Sequence, residues 1–192
     1  EDLSESYRDL YQQVSQIKNV VYLQDNVVIV NGVAILGTNG WWTYDFDPVM
    51  DVDQSIMHVQ EHFHISNSAA TSIIGIAYHD AAYLIKSVEK LQKHSEVKAI
   101  VLVSHTVPAP WIIEHDIDLV DTWRFNGMGN KHIARAINSD TENKIKTWCF
   151  GHYHQPVDQQ LGGIQYLSNP RGRGNTPWSR SVFYPRRIEI DV

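Results

Sequence analysis

The chain has 192 residues, 43% of them hydrophobic, which is enough for one domain with a sizeable core and excludes a disordered polar segment. Sixteen basic residues stand against 22 acidic ones, so the net charge of −6 lacks the cationic footprint of broad non-specific nucleic-acid binding. A single cysteine, Cys149, excludes an internal disulfide and fits a reducing, cytoplasmic setting, and no apolar run approaches the ~20 residues that span a bilayer.

The polar, acidic start, Glu1 to Ser6, does not read as a signal peptide. Tyr7, Leu10, Tyr11, Val14 and Ile17 recur at helical spacing and predict a short amphipathic helix over 5–17. A meander follows, with strands expected at Val20–Leu23, Val27–Val30 and Val33–Leu36. Asn31-Gly32 between β-rich runs is a tight hairpin signal, because both residues tolerate positive φ. The loop Gly37-Thr38-Asn39-Gly40-Trp41-Trp42 reads either as the rim of a site or as a pair of tryptophans closing a core; the core role suits Trp42 better than Trp41. It has no Lys-Ser or Lys-Thr sequel, so it is not a phosphate loop.

The acids from Asp45 to Asp53 lack calcium-loop spacing and suit the start of a helix, where they meet its positive dipole end. Val52, Ile56, Val59 and Phe63 mark one face of that helix. His58 and His62 stand at i and i+4 on it, with His64 nearby. No glutamate follows the first histidine directly, so a solvated face is the better reading than a zinc site. Ala77, Ala81, Leu84, Val88 and Leu91 trace the buried stripe of a second helix over about 75–93. The helix-then-strand order that follows is that of an α/β fold. Glu114 to Phe125 reads as a surface excursion and Lys131 to Asn138 as a helix. Arg186 to Val192 reads as a final edge strand. No repeat, low-complexity tract or linker interrupts the chain, so residues 1–192 form a single domain in this reading.

Two apolar strands end in histidine. Ala99 to Ser104 runs into His105 before Pro108 and Pro110 stop it, and Ile145 to Phe150 runs into Gly151-His152-Tyr153-His154. Ligands of open α/β sheets gather at such strand ends, and neutral imidazole is the commonest metal ligand. A cluster of His105, His152 and His154 is therefore expected. A third strand ends in Asn169-Pro170-Arg171-Gly172, either a structural turn or a basic loop beside the cluster.

Val103-Ser104-His105, Phe150-Gly151-His152-Tyr153-His154 and Asn169-Pro170-Arg171-Gly172, in that order, resemble the C-terminal half of the calcineurin-like metallophosphoesterases. The resemblance runs through the N-terminal hairpin and so covers nearly the whole chain. It implies an α/β fold, the C-terminal half of a four-layer α/β/β/α sandwich with mixed sheets. It implies hydrolysis of phosphomono- or phosphodiesters by two divalent ions of manganese, iron or zinc, with His105 and His152 on one ion and His154 on the other. Arg171, Asn39 and Trp41 become candidates for contact with the phosphoester substrate.

The departures from that pattern are as informative. The family's Asp-x-His, Gly-Asp-x-x-Asp and Gly-Asn-His-Asp/Glu blocks, which carry the bridging aspartate and the leaving-group histidine, do not occur. Gly129-Asn130-Lys131-His132 has an inserted residue and comes too late. The chain therefore reads as the second half of a phosphoesterase, inactive alone and completed by an N-terminal half or a partner chain. A non-catalytic scaffold on the same fold and a mononuclear site with three histidines are the alternatives. The apolar strand ending at His105 demands cover on both faces, and an isolated chain with a bare face or edge is expected to associate.

Overall fold

The structure, a computed structural model, describes residues 3–47, 50–64, 66–116, 118, 122–171 and 184–190. After helix α1 (Leu3–Ser15) come strands β1 (Asn26–Val30) and β2 (Val33–Thr38), then helices α2 (Val52–Phe63) and α3 (Asn67–Leu91). Strand β3 (Ala99–Ser104) leads to a 3-10 turn at Pro110–Ile112 and two short helices, α4 (Trp123–Asn126) and α5 (Arg135–Asn138). Strands β4 (Ile145–Cys149), β5 (Val157–Leu161) and β6 (Ile164–Ser168) follow. The strands form one six-stranded mixed sheet in the order β1-β2-β3-β4-β6-β5, so the chain has the expected α/β architecture. The four inner strands are parallel, and β1 and β5 close the two edges antiparallel.

The Asn31-Gly32 hairpin forms as expected, both residues taking positive φ (50° and 83°). Leu36, Leu102, Trp148 and Tyr166 lie side by side across the four parallel strands. Each is buried and belongs to the main apolar cluster, with Ala81, Leu84, Val88 and Leu91 of α3 in the same cluster. The next row, Gly37, Val103, Cys149 and Leu167, points to the other face by strand alternation. A Cβ at Gly37 would sit 2.7 Å from the Val103 carbonyl oxygen, so β2 and β3 can approach this closely only with glycine there. Cys149 is half-buried, and burial pushes its thiol pKa up, so it is an inert core thiol.

Several element assignments change. Val20–Leu23 is not a strand: Gln24 alone bridges Gly37, with its side chain bonded to groups at the end of β2. The last strand before the C-terminus is also absent over residues 184–190. That edge is taken by β5, which hairpins onto β6 through Gly162 and Gly163, and Arg186 pairs with Asp158 on it. The α3 helix starts earlier than its apolar stripe suggests because the Ser66 hydroxyl caps it, accepting from the Ala69 amide at 3.2 Å. Residues 131–134 are turns, and only Arg135–Asn138 are helical. No helix among the described residues is long and apolar enough to cross a membrane.

Leu102 is fully buried at the centre of the row that joins strands to α3. Leu102→Ala should therefore destabilise the fold by about 2–5 kcal/mol. Urea unfolding followed by circular dichroism reads this directly, and a loss below about 1 kcal/mol would mean that this row is not the centre of the core.

Candidate functional site

The C-terminal ends of β2, β3 and β4 are stitched together by backbone hydrogen bonds. The His105 amide donates to the Asn39 carbonyl (3.0 Å), and the Gly151 amide donates to the His105 carbonyl (2.9 Å). Parallel pairing alone would leave these groups beyond the last ladder bond unpaired. Here they fix three loops at one end of the sheet.

His105 and His152 meet at this end. His152 Nδ1 and His105 Nε2 are 3.2 Å apart, and the rings lie 5.0 Å apart edge to face. The other nitrogen of His152, Nε2, is 3.0 Å from the Gly127 carbonyl oxygen. A carbonyl can only accept, so Nε2 carries a hydrogen and the lone pair of neutral His152 lies on Nδ1. His105 Nε2 then donates to it. The His152 backbone is held at φ 62°, and the Tyr153 amide reaches the Gly151 carbonyl across it (2.7 Å). This is a γ-turn with the positive φ of its rare, strained form. Strain of this kind persists where the surrounding structure over-determines a residue, and such residues cluster at functional sites.

His154 is half-buried nearby. Atoms crowded around the His105 ring disfavour its imidazolium, and the charge of His154 adds to this, so the His105 pKa lies below the ordinary 6.5. Asp116, in the excursion after β3, accepts from Tyr153 Oη (2.9 Å) and from Gln155 (3.1 Å). The excursion is thus tied to the histidine loop. Burial and the Asp116 carboxylate push the Tyr153 phenol well above its usual range, so it stays a donor.

The loop after β2 is held from below by a buried carboxylate. Asp80 on α3 is fully buried; its Oδ2 accepts from the Gly40 amide (2.8 Å) and its Oδ1 from Gln24 (2.8 Å). Gln24 in turn accepts from the Asn39 amide (2.7 Å). Asn39 therefore takes part through its backbone, pinned on both sides. Sequence reasoning missed Gln24 and Asp80, because Asp80 sits inside a helical stripe and shows no motif. Trp42, read as a core residue, lies against the site: its ring stacks on His152 at 5.5 Å and 20°. Trp41 packs edge-on against Trp42 at 5.0 Å. Arg171 is exposed just beyond β6, and Gly172 and Arg173 lie outside the described residues.

The side helix histidines do not form a metal cluster among the described residues. His58 and His62 instead lie against the Trp123 ring at 6.4 and 5.1 Å. The Gly129-Asn130-Lys131-His132 stretch is structural. A Cβ on Gly129 would collide with Phe46, and Asn130 is buried with its amide on the Ala77 carbonyl (3.0 Å). His132 Nε2 bonds Asp45 (3.0 Å), and Lys131 pairs with the same carboxylate (3.3 Å).

The spacing of the His105–His152 pair matches that of two ligands on one ion, and His154 joins no set of three donor atoms within 4.8 Å among the described residues. Two nitrogens on one tetrahedral zinc, with bonds of about 2.0–2.1 Å, lie roughly 3.3 Å apart, and the observed separation is 3.2 Å. The Gly127 carbonyl supplies the outer contact that orients such a ligand. The one described set of three ligand types whose donor atoms lie within 4.8 Å of one another is Asp25, His79 and Asp80. Its buried member already serves the loop amides, and its carboxylates do not belong to the histidine pair.

No protein-family model and no curated protein sequence matches the chain. Its fold is similar to the crystal structure of the phosphopantetheinyl hydrolase from Mycobacterium tuberculosis, with a TM-score of 0.61 at 13% identity. The likeness covers 97% of this chain and 70% of that one.

The Asp45 cluster gives a pH signature. Burial alone would raise the Asp45 carboxyl; the bonds from Thr43 and His132 and the charges of His132 and Lys131 overcome this and hold it below 3.8. A depressed folded pKa adds stability that is complete above the unfolded value, about 3.9, and is lost as pH falls through the folded one. Asp45→Asn should therefore lower the urea midpoint at pH 7, and the gap from wild type should close below about pH 4. A gap that persists unchanged at pH 3 would show that the carboxylate charge is not what stabilises the cluster.

Proposed function

We propose that this chain supplies the histidine side of a metal-dependent phosphoesterase centre, with His105, His152 and His154 as ligands. The observation that carries the reading is the 3.2 Å approach of His152 Nδ1 to His105 Nε2 at the ends of adjacent parallel strands, with His152 held in place by Gly127. Likeness in fold to a phosphopantetheinyl hydrolase supports it. So do the Ser-His, Gly-His-x-His and Asn-Pro-Arg-Gly blocks of the calcineurin-like pattern, in order.

Divalent ions at such a centre would lower the pKa of a bound water and neutralise charge on the phosphate. The chain's own residues prepare for this. The Gly127 carbonyl fixes the His152 tautomer, so its lone pair lies on Nδ1, where it accepts from His105 Nε2. His105 Nε2 carries a hydrogen here, so His105 would act as a ligand through that nitrogen only after the hydrogen moves to Nδ1, a tautomer change that needs the neutral ring. The depressed His105 pKa favours the neutral ring that this needs. Arg171, exposed at the end of β6, is the cation best placed along the chain to meet a phosphate oxygen, and its planar fork suits that contact. Asn39 and Trp41 border the same loops.

Three imidazoles give one ion two ligands and a second ion one. Two cations at close range need bridging carboxylates, so a two-ion centre here takes them from a complementary N-terminal half or a partner chain. The exposed valines and isoleucine of edge strand β1, Val27, Ile29 and Val30, support such an association. Phosphomonoesters and phosphodiesters both suit an open end of the sheet.

Elemental analysis after soaking in manganese or zinc and desalting tests the ligand set. His152→Asn tolerates the positive φ, since asparagine is enriched there, so it should keep the melting temperature within a few degrees. It should bind metal at least tenfold more weakly and lose any hydrolysis of bis-p-nitrophenyl phosphate. Full metal content in both His152→Asn and His105→Asn would overturn the assignment.

A further inference from the structure

The chemistry of the histidine pair leaves a cavity beside it unexplained. Helices α2 and α4 and the loop after β2 enclose about 200 Å³ lined by Trp42, Val59, Trp123 and Met128, with His62 and Arg124 also in its wall. His152 lines the same cavity, and Trp42 stacks on that imidazole. One wall of the cavity is therefore in contact with a candidate metal ligand.

The cavity belongs to a cap distinct from the main core. Tyr44, Val59 and Ala70 are its buried centre, and Trp42, Val52, Ile56, Ile74 and Trp123 pack around them. Tightly packed interiors leave few voids larger than a water molecule, and apolar voids stay dry and take apolar ligands. This volume is smaller than the roughly 300–1,000 Å³ of sites that enclose a whole drug-sized ligand. It suits one ring system of a larger molecule. Two tryptophans offer flat π faces, and the Met128 sulfur suits an aromatic edge. The exposed Arg124 lies with its guanidinium carbon 5.8 Å from the centre of the Trp123 ring, which places a cation at the pocket wall. Among the described residues no carboxylate lines the cavity.

We propose that this cavity receives a flat aromatic group, of nucleobase size, carried by the phosphoester whose phosphate lies at His105 and His152. The inference rests on the phosphoesterase reading for the phosphate and on the cavity alone for the ring. The substrate class is then an aromatic phosphoester such as a nucleotide, selected by stacking. An aliphatic phosphoester buries apolar area against Trp42 and Trp123 but gains no stacking from them.

The test separates the two parts. Adenosine, which has no phosphate, is titrated into metal-free protein and followed by tryptophan fluorescence and equilibrium dialysis. Saturable binding is expected, and Trp123→Leu, which keeps apolar volume but loses the flat face, should weaken it about tenfold or more, while Trp123→Phe keeps most of it. With manganese present, affinity by equilibrium dialysis is compared for adenosine 5′-monophosphate, phenyl phosphate and ribose 5-phosphate. Both aromatic esters should exceed ribose 5-phosphate by about tenfold or more, and Trp123→Leu should reduce that ratio toward one. A larger advantage for the adenosine ester than for phenyl phosphate identifies a nucleotide as the source of the ring; equal values identify aryl esters. Equal, manganese-dependent affinity for all three would overturn the pocket and leave the phosphoesterase reading standing. Adenosine binding that Trp123→Leu abolishes, in a chain whose metal content neither His105→Asn nor His152→Asn lowers, would keep the pocket and sink the phosphoesterase reading. No adenosine binding by the wild-type chain would sink the pocket outright.

Discussion

The site depends on two backbone hydrogen bonds beyond the last rungs of the sheet, from the His105 amide to Asn39 and from the Gly151 amide to His105. Parallel strands end with amides and carbonyls that no ladder satisfies. Tying them to one another converts three loops into one rigid edge. The His105 and His152 rings are then carried by backbone that can neither splay nor slide. Binding imidazoles at a fixed separation requires such a mount, because a drift of 1 Å between the two nitrogens would break the geometry of a shared ion.

Buried polar groups extend this rigidity outward. Asp80 holds the loop after β2 by its amides, and Gln24 connects Asp80 to Asn39. Asp116 holds the excursion after β3 to the histidine loop through Tyr153 and Gln155. Asn126 joins α4 to Ser55 on α2 (2.8 Å) and accepts from the Asp47 amide. Each of these groups is costly to bury alone and is stable only because its partners are complete. The strained γ-turn at His152 sits where these supports converge, with Trp42 stacked on the ring and Gly127 on its far nitrogen. The surrounding structure holds that backbone in place against its own preference.

The cap formed by α2, α4 and the Trp42 loop is a different kind of structure. Its apolar residues pack on one another around Val59 and Tyr44 and leave room beside the histidines. The sheet and α3 hold the histidine pair in place, and the cap shapes the cavity beside it. Separating the two lets a pocket differ without disturbing the ligand geometry, as loops do on a rigid scaffold.

Local patterns determined much of this. The Asn31-Gly32 turn, the Ala77 to Leu91 stripe and the two apolar strands ending in histidine depend on near neighbours along the chain, and these elements stand where periodicity puts them. The strand-end rule also brought His105 and His152 to one place, because adjacent parallel strands must end on the same side. The sequence could not reveal the roles of Asp80, Gln24 and Trp42. Asp80 and Gln24 look like an ordinary helical acid and a loop amide until α3 passes beneath the loop after β2. Trp42 does pack on the cluster around Tyr44 and Val59, as a core ring would, and its stacking on His152 comes in addition. Val20–Leu23 has strand propensity, yet it forms no ladder: Gln24 alone bridges Gly37, with its side chain bonded at the end of β2. In each case the deciding partner is distant in sequence, Asp80 being 56 residues from Gln24. Only tertiary structure brings such groups within hydrogen-bonding distance.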